Sequence, residues 1–177
     1  MELPEERSPF PGNRADQAYF ADRADRPLDM RGATEADLNE LLRVDREVFP
    51  DDPYPYFVLR QHLDVHGDRV LVLDDGECLH GYVLFVTRSD GYVCWVLSLA
   101  VSADRRGRGL GRRLMLEVLQ RLRRERVREV RLTVEPTNAA AIMLYRSLGF
   151  AAEGGVRRDY LGPGEDRLIM TLELDLG

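Results

Sequence analysis

Lysine is missing from this sequence of 177 residues, and all 25 basic side chains are arginine. A phosphate-binding P-loop needs a lysine beside its glycines and is thereby excluded. Cysteine is scarce: Cys78 and Cys94 are too few for a disulfide framework or a four-ligand zinc site, and the expectation is two buried thiols in strand-like sequence, in a reducing cytoplasm. No long apolar run occurs, which excludes a transmembrane helix, and the opening MELPEERSPF lacks the basic flank and apolar core of a secretory signal. His62 and His66 stand one turn apart, yet no H-E-x-x-H glutamate and no third ligand accompanies them. No metal is expected.

What is present suits one domain with a buried core: 44% of residues are apolar and 32% charged. The net charge of −6 argues against a general nucleic-acid binder, but the charge is uneven. Residues 105–131 hold 11 arginines against Glu117, Glu125 and Glu129. A basic island in an acidic chain suits a polyanionic small ligand at one place and a cationic substrate at another; around Arg121 to Arg128 a solvated helix face is the plainer reading.

Residues 1–28 mix Pro, Asp, Arg and Glu and read as a charged extension, with a short helix near residues 17–24; residues 29–177 form the domain. Thr34 and Asp37 resemble a capping box, and Leu38, Leu41, Leu42, Val48 and Phe49 recur at helical spacing. Asp45 shares that apolar face, so it either lines a cleft or edges the core. PDDPYP at 50–55 breaks the helix and gathers Tyr54, Tyr56 and Phe57 into a lip, followed by a second helix over 56–66. RVLVLDDGECLHGYVLFV reads as a hairpin turning at Asp75-Gly76, and YVCWVLSLAV at 92–101 as a strand covered on both faces.

That strand leads into SADRRGRGLGRRLMLEVLQRLRRE, where Gly107, Gly109 and Gly111 open a helix. Strand, arginine-glycine loop and helix together bind anions: glycines let backbone N–H groups approach closely, and the helix N-terminus adds partial positive charge. A dinucleotide fingerprint requires glycine at 112, where this chain has Arg112. A further strand, VRLTVE at 130–135, precedes a helix that starts near Thr137 or Asn138 and stops at Gly149.

Arg106-x-x-Gly109-x-Gly111, followed by Asn138-x-x-Ala141-x-x-Leu144-Tyr145-x-x-x-Gly149-Phe150, resembles the GNAT superfamily of N-acetyltransferases. With the tail VRRDYLGPGEDRLIMTLEL, it is most similar to the bacterial ribosomal-protein N-terminal alanine acetyltransferases, from about Met30 to Leu174. The resemblance implies a single-domain α/β fold with a mixed, twisted sheet of six to seven strands flanked by helices and splayed between the fourth and fifth strands. It implies acetyl-CoA as co-substrate, its pyrophosphate held by the backbone of Arg106, Gly107, Arg108, Gly109, Leu110, Gly111 and Arg112. The pantetheine arm would lie along Leu99, Ala100 and Val101, near Asn138. Transfer in that family is direct attack by an amine on the thioester, with Tyr145 in the place of the general acid and a backbone N–H near Leu99 polarising the carbonyl.

The related enzymes carry a glutamate base twelve residues before the tyrosine, where this chain has Thr133. Glu135, roughly 7 Å further along the same strand face, either serves through a water or borders the cofactor site. An α-amine of pKa about 7.8 is roughly a quarter neutral at pH 7.4, against about one part in a thousand for a lysine amine, so a weak base favours an α-amine acceptor. Asp45, Asp51, Asp52, Tyr54, Tyr56, Tyr160, Glu165 and Asp166 are candidates for the acceptor side. Leu161 replaces a second tyrosine of the related tail, which leaves a small antibiotic or metabolite amine as the alternative to a peptide N-terminus. A coenzyme-A-binding module without activity is the third reading. A cytoplasmic monomer or homodimer is expected, with neither nucleic acid nor membrane as partner.

Overall fold

Seven strands and four helices account for most of residues 26–175, the part of the chain that the computed structural model describes. The helix expected near 17–24 lies outside the described residues. In chain order the strands are β1 (Asp29–Gly32), β2 (Val70–Asp74), β3 (Leu79–Thr87), β4 (Val93–Val101), β5 (Glu129–Val134), β6 (Ala151–Ala152) and β7 (Leu168–Glu173). The helices are α1 (Leu38–Val48), α2 (Tyr56–His66), α3 (Leu110–Arg124) and α4 (Ala139–Ser147). One sheet runs in the order β1-β2-β3-β4-β5-β7-β6, antiparallel throughout except for the parallel pair β4·β5. A parallel neighbour cannot be reached by a tight turn, and α3 supplies the crossover.

Each face of the sheet has its own apolar layer. Leu38, Leu41, Leu42 and Val44 of α1 and Leu59 of α2 pack on Val70, Val72, Tyr82, Leu84 and Ala100. On the other face, Leu114, Met115, Val118, Leu119 and Leu122 of α3 meet Val83, Phe85, Cys94, Val96, Val130 and Leu132. Each such side chain contributes about 2 kcal/mol by leaving water. The expected capping box at Thr34 is present: Thr34 N–H donates to Asp37 Oδ2 (2.7 Å) while Asp37 N–H donates to the Thr34 carbonyl (3.0 Å). Helix α4 ends as its glycine predicts, with Gly149 at φ 97° and the N–H groups of Gly149 and Phe150 closing on the carbonyls of Arg146 and Tyr145.

Two expectations are corrected. Cys94 is buried in β4, but Cys78 is only half-buried and sits in the β2–β3 turn. Strand β4 is not covered on both faces: its residues alternate between buried and partly open, and Leu97 is 43% exposed. Alternate residues alone meet a helix layer, Cys94 and Val96 on one face and Ala100 on the other. Leu84 pairs with Ser98 and Phe85 with Val96, so Leu97 is an extra residue in β4, a β-bulge that carries the buried set from one face of the sheet to the other.

Candidate active site

Pairing between β4 and β5 starts at Val93·Glu129 and stops at Val96·Leu132, although both strands continue. It stops one residue before the bulge. Beyond Leu97, Ser98 and Ala100 oppose Leu84 and Tyr82, and Ser102 N–H bonds the His80 carbonyl (2.9 Å), so the even-numbered residues turn their polar groups toward β3. Leu99 and Val101 therefore turn theirs into the gap beside β5. The expectation that the sheet splays between its fourth and fifth strands is met at this point. Ala100 is corrected: its backbone faces β3 and its side chain is buried, so only its two neighbours present polar groups to the gap.

The chain then forms a short 3-10 turn, Ala103–Arg105, and enters the glycine loop. Gly107 and Gly109 have φ of 74° and 75°, a backbone region costly for any residue with a Cβ, and Gly109 caps the 15-residue α3 with no side chain in the capping role. Among the described residues, the N–H groups of Gly107, Gly109, Leu110, Gly111 and Arg112 find no backbone carbonyl. Successive unpartnered N–H groups at a helix start make a nest for an anion, and a coenzyme pyrophosphate fits such a nest. Gly111 answers to packing instead: a Cβ there would lie 3.3 Å from Leu144 Cδ2 and 3.8 Å from Leu99 Cδ2. Of the arginines, Arg106 donates from Nε to the Val101 carbonyl (3.1 Å) and Arg112 donates to Ser147 Oγ on α4 (2.7 Å), which ties the loop to both neighbours. A groove of about 610 Å³ continues from Gly109 along α3, lined by Arg112, Arg113 and Arg123.

Across the gap, α4 carries Asn138 and Tyr145. Asn138 spends its side-chain carbonyl on the Ala141 N–H (3.0 Å), leaving its amide nitrogen for a ligand. Tyr145 is buried to 7% exposure against Phe150, with ring centroids 5.9 Å apart, and burial pushes its phenol up to about 12. Among the described residues its hydroxyl has no hydrogen-bond partner. Glu135 follows the last residue of β5 and is exposed, whereas Thr133 is paired with Ile169 inside the sheet. Glu135 lines a cleft of about 570 Å³ with Thr137, Val156, Arg158, Glu165 and Asp166. This brings the candidate base together with two of the candidate acceptor residues.

The other acceptor candidates are divided. Tyr56 and Tyr160 are exposed on their surfaces, and Asp51 is exposed in the lip. Asp45 is corrected: it is fully buried, accepts from the Tyr82 hydroxyl and from Tyr54 N–H (2.6 Å), and so stands behind the lip as its anchor. Burial pushes its carboxyl above the usual range, and the two donors pull it back. Tyr82 also contacts Ser98 Oγ at 2.9 Å, the residue after the bulge. The sequence reading missed Tyr82, Ser98 and the buried Arg105; only the oddity of a tyrosine and a serine within otherwise apolar strands could have signalled the first two.

Comparison with known proteins adds a family. Residues 35–150 match the acetyltransferase (GNAT) family. The chain is 31% identical over 147 residues to the N-alpha-acetyltransferase RimI of Mycobacterium tuberculosis, spanning 81% of this chain and 91% of that protein. The ribosomal-protein-S18-alanine N-acetyltransferase from Escherichia coli superposes with a TM-score of 0.72 at 26% identity, over 85% of this chain and 96% of that one. A Salmonella typhimurium protein solved with its cofactor acetyl-CoA superposes at 0.70 and 26% identity, over 84% and 94% respectively.

Proposed function

The chain belongs to the acetyltransferase (GNAT) family and is an N-acetyltransferase with acetyl-CoA as co-substrate, and from that premise we propose that its acceptor is the α-amine at the N-terminus of a protein or peptide. In this reading the pyrophosphate rests on the N–H groups from Gly107 to Arg112, with Arg106 and Arg108 adding charge. The arm's amides pair with the open edges of Leu99 and Val101 and with the Asn138 amide. Bound acetyl-CoA supplies the thioester carbonyl that the amine attacks. The Leu99 N–H lies where it can donate to the carbonyl oxygen as charge builds there. Tyr145, protonated at neutral pH as an ordinary phenol is and held more firmly so by burial, gives its proton to the departing sulfur. Glu135 takes the proton of the amine, directly or through a water.

The observation that carries the acceptor assignment is the cleft that Glu135 shares with the 156–167 loop, open enough for a chain end and lined by three carboxylates, Glu135, Glu165 and Asp166, against Arg158 and Arg167, with Glu165 already paired to Arg167, a lining that stays net acidic toward an ammonium. The names of the M. tuberculosis and E. coli relatives agree with it. A small-amine acceptor is the second reading, favoured by Leu161, which is 57% exposed where the related tail has tyrosine. Thiol release from acetyl-CoA separates the two, with an alanine-initiated peptide and a panel of polyamines and aminoglycosides side by side. Turnover confined to the peptide is expected; turnover confined to a small amine refutes the α-amine assignment. In our reading the enzyme works in a bacterial cytoplasm, in keeping with two free thiols, and no helix among the described residues is long and apolar enough to cross a membrane.

A further inference from the structure

The β2–β3 turn and the stem of the glycine loop meet in a buried polar cluster. The side chains of Asp75, Arg105 and His80 are 0%, 2% and 6% exposed. His80 Nε2 lies 2.7 Å from Asp75 Oδ2, 3.3 Å from Arg105 Nη2 and 3.5 Å from Cys78 Sγ, and Arg105 Nη2 lies 3.7 Å from Asp75 Oδ2. Asp75 Oδ1 accepts from the N–H groups of Cys78 (2.9 Å) and Glu77 (3.0 Å). One imidazole nitrogen faces all three neighbours, so the group is no nucleophile–base–orienter relay, which needs both ring nitrogens. The guanidinium at the same point opposes a cation between Asp75, Cys78 and His80.

Burying an arginine is costly, and an apolar side chain would fill the space more cheaply. What the guanidinium adds is direction. Arg105 immediately precedes Arg106 and the nest, and the stem is fastened on either side: Ser102 N–H to the His80 carbonyl (2.9 Å) and Ala103 N–H to Glu47 Oε1 (2.8 Å). Apolar packing would let the stem rotate about these backbone bonds, whereas a buried guanidinium whose Nη2 is ion-paired with Asp75 Oδ2 at 3.7 Å, the oxygen that His80 Nε2 also holds, ties the stem to the β2–β3 turn at a third point and limits the rotation. The N–H groups that follow must converge on one pyrophosphate, so stem rotation determines how well they do so. We infer that Arg105 is a positioning residue: through Asp75 and His80 it sets the aim of the Gly107–Arg112 N–H groups, and so the affinity for the coenzyme, leaving the chemistry at the thioester untouched.

This rests on the coenzyme site assigned under Proposed function, and the test separates the two. Coenzyme A is titrated calorimetrically into the full chain and into Arg105→Met, Asp75→Asn and the double variant, with steady-state kinetics and thermal unfolding alongside. Asp75 keeps its two backbone donors and His80 when Arg105 is replaced, so no carboxylate is stranded. Arg105→Met is expected to weaken coenzyme A binding about tenfold and to raise KM for acetyl-CoA by the same factor, with kcat and the peptide KM within twofold of the parent. Asp75→Asn is expected to act in the same direction, and the double variant to bind no more weakly than Arg105→Met, because both act on one path. Parent-like affinity in Arg105→Met, full additivity in the double variant, or an equal loss in the peptide KM overturns the inference. A parent that does not bind coenzyme A overturns the site assignment itself. If Arg105→Met does not fold, Arg105→Lys, which keeps the charge but has a shorter reach toward Asp75, is expected to bind about threefold more weakly, and parent-like binding there overturns the inference equally.

Discussion

Replacing Tyr145 with Phe should leave stability at neutral pH nearly unchanged, raise it at alkaline pH, and make the protein nearly inactive. The hydroxyl has no hydrogen-bond partner among the described residues, and the residue that carries it is 7% exposed. The oxygen is not among the buried side-chain atoms left without a partner, so water reaches it and its removal changes stability at pH 7 by no more than about 0.5 kcal/mol. For a chain of this size that keeps the Tm within about 2 °C of the parent. Alkaline pH opens the difference. Burial holds the phenol at about 12, above its ordinary value of 10. Its contribution to stability is therefore complete below pH 10 and is lost as pH rises through 12, a change of about 3 kcal/mol that the Phe variant does not undergo. Turnover moves the other way, down about 10²- to 10⁴-fold if the hydroxyl protonates the leaving sulfur, while coenzyme A affinity stays within a fewfold. Urea unfolding at pH 7.5 and pH 11, where about half of that change, about 1.4 kcal/mol, is expected, is paired with thiol-release assays. A variant less stable than the parent would mean that the hydroxyl has a structural partner, and retained turnover would remove it from the chemistry.

Gly109→Ala meets no atom within 4 Å, so its whole cost comes from φ 75°, about 1–2 kcal/mol. Coenzyme A affinity should fall severalfold as the capping turn relaxes, with parent-like calorimetric binding as the contrary result. Donation from Arg31, working against burial and helped by Thr34, holds the Asp37 carboxyl at about 2. Its stabilisation is thus full above pH 4 and lost as pH falls through 2, about 2 kcal/mol. Asp37→Asn should flatten acid unfolding over that window and lower the Tm at pH 7; an unchanged acid limb would refute the assignment.

Local chemistry made much of this structure legible in the sequence. The capping residues Thr34 and Asp37, the prolines of the lip, Asp75-Gly76, the glycine loop and Gly149 each act within a few residues of themselves, and the elements they delimit are found where expected. Asp45 was ambiguous because a carboxylate on an apolar helix face can be satisfied only by a partner distant in sequence, and Tyr82 lies 37 positions away. Leu97 was hidden for a related reason: a bulge is a relation between two strands, and YVCWVLSLAV reads as one unbroken run without its partner. Arg105 adjoins the arginines of an anion-binding loop, and nothing in the run sets it apart from them. Only the β2–β3 turn, folded against the loop, distinguishes it from Arg106 and Arg108.

Leu97 acts on the sheet as a dislocation acts on a crystal. Ahead of it the even residues Cys94 and Val96 serve β5; behind it the odd residues Leu99 and Val101 face the same way without a strand to pair with. A chain shortened by that one residue could carry the ladder on toward Val101, exchanging a slot for hydrogen bonds. It would be an ordinary sheet, more stable and with nowhere to lay a pantetheine arm. Catalytic capacity and ladder completion draw on the same few N–H and C=O groups, and in this chain a single inserted leucine decides between them.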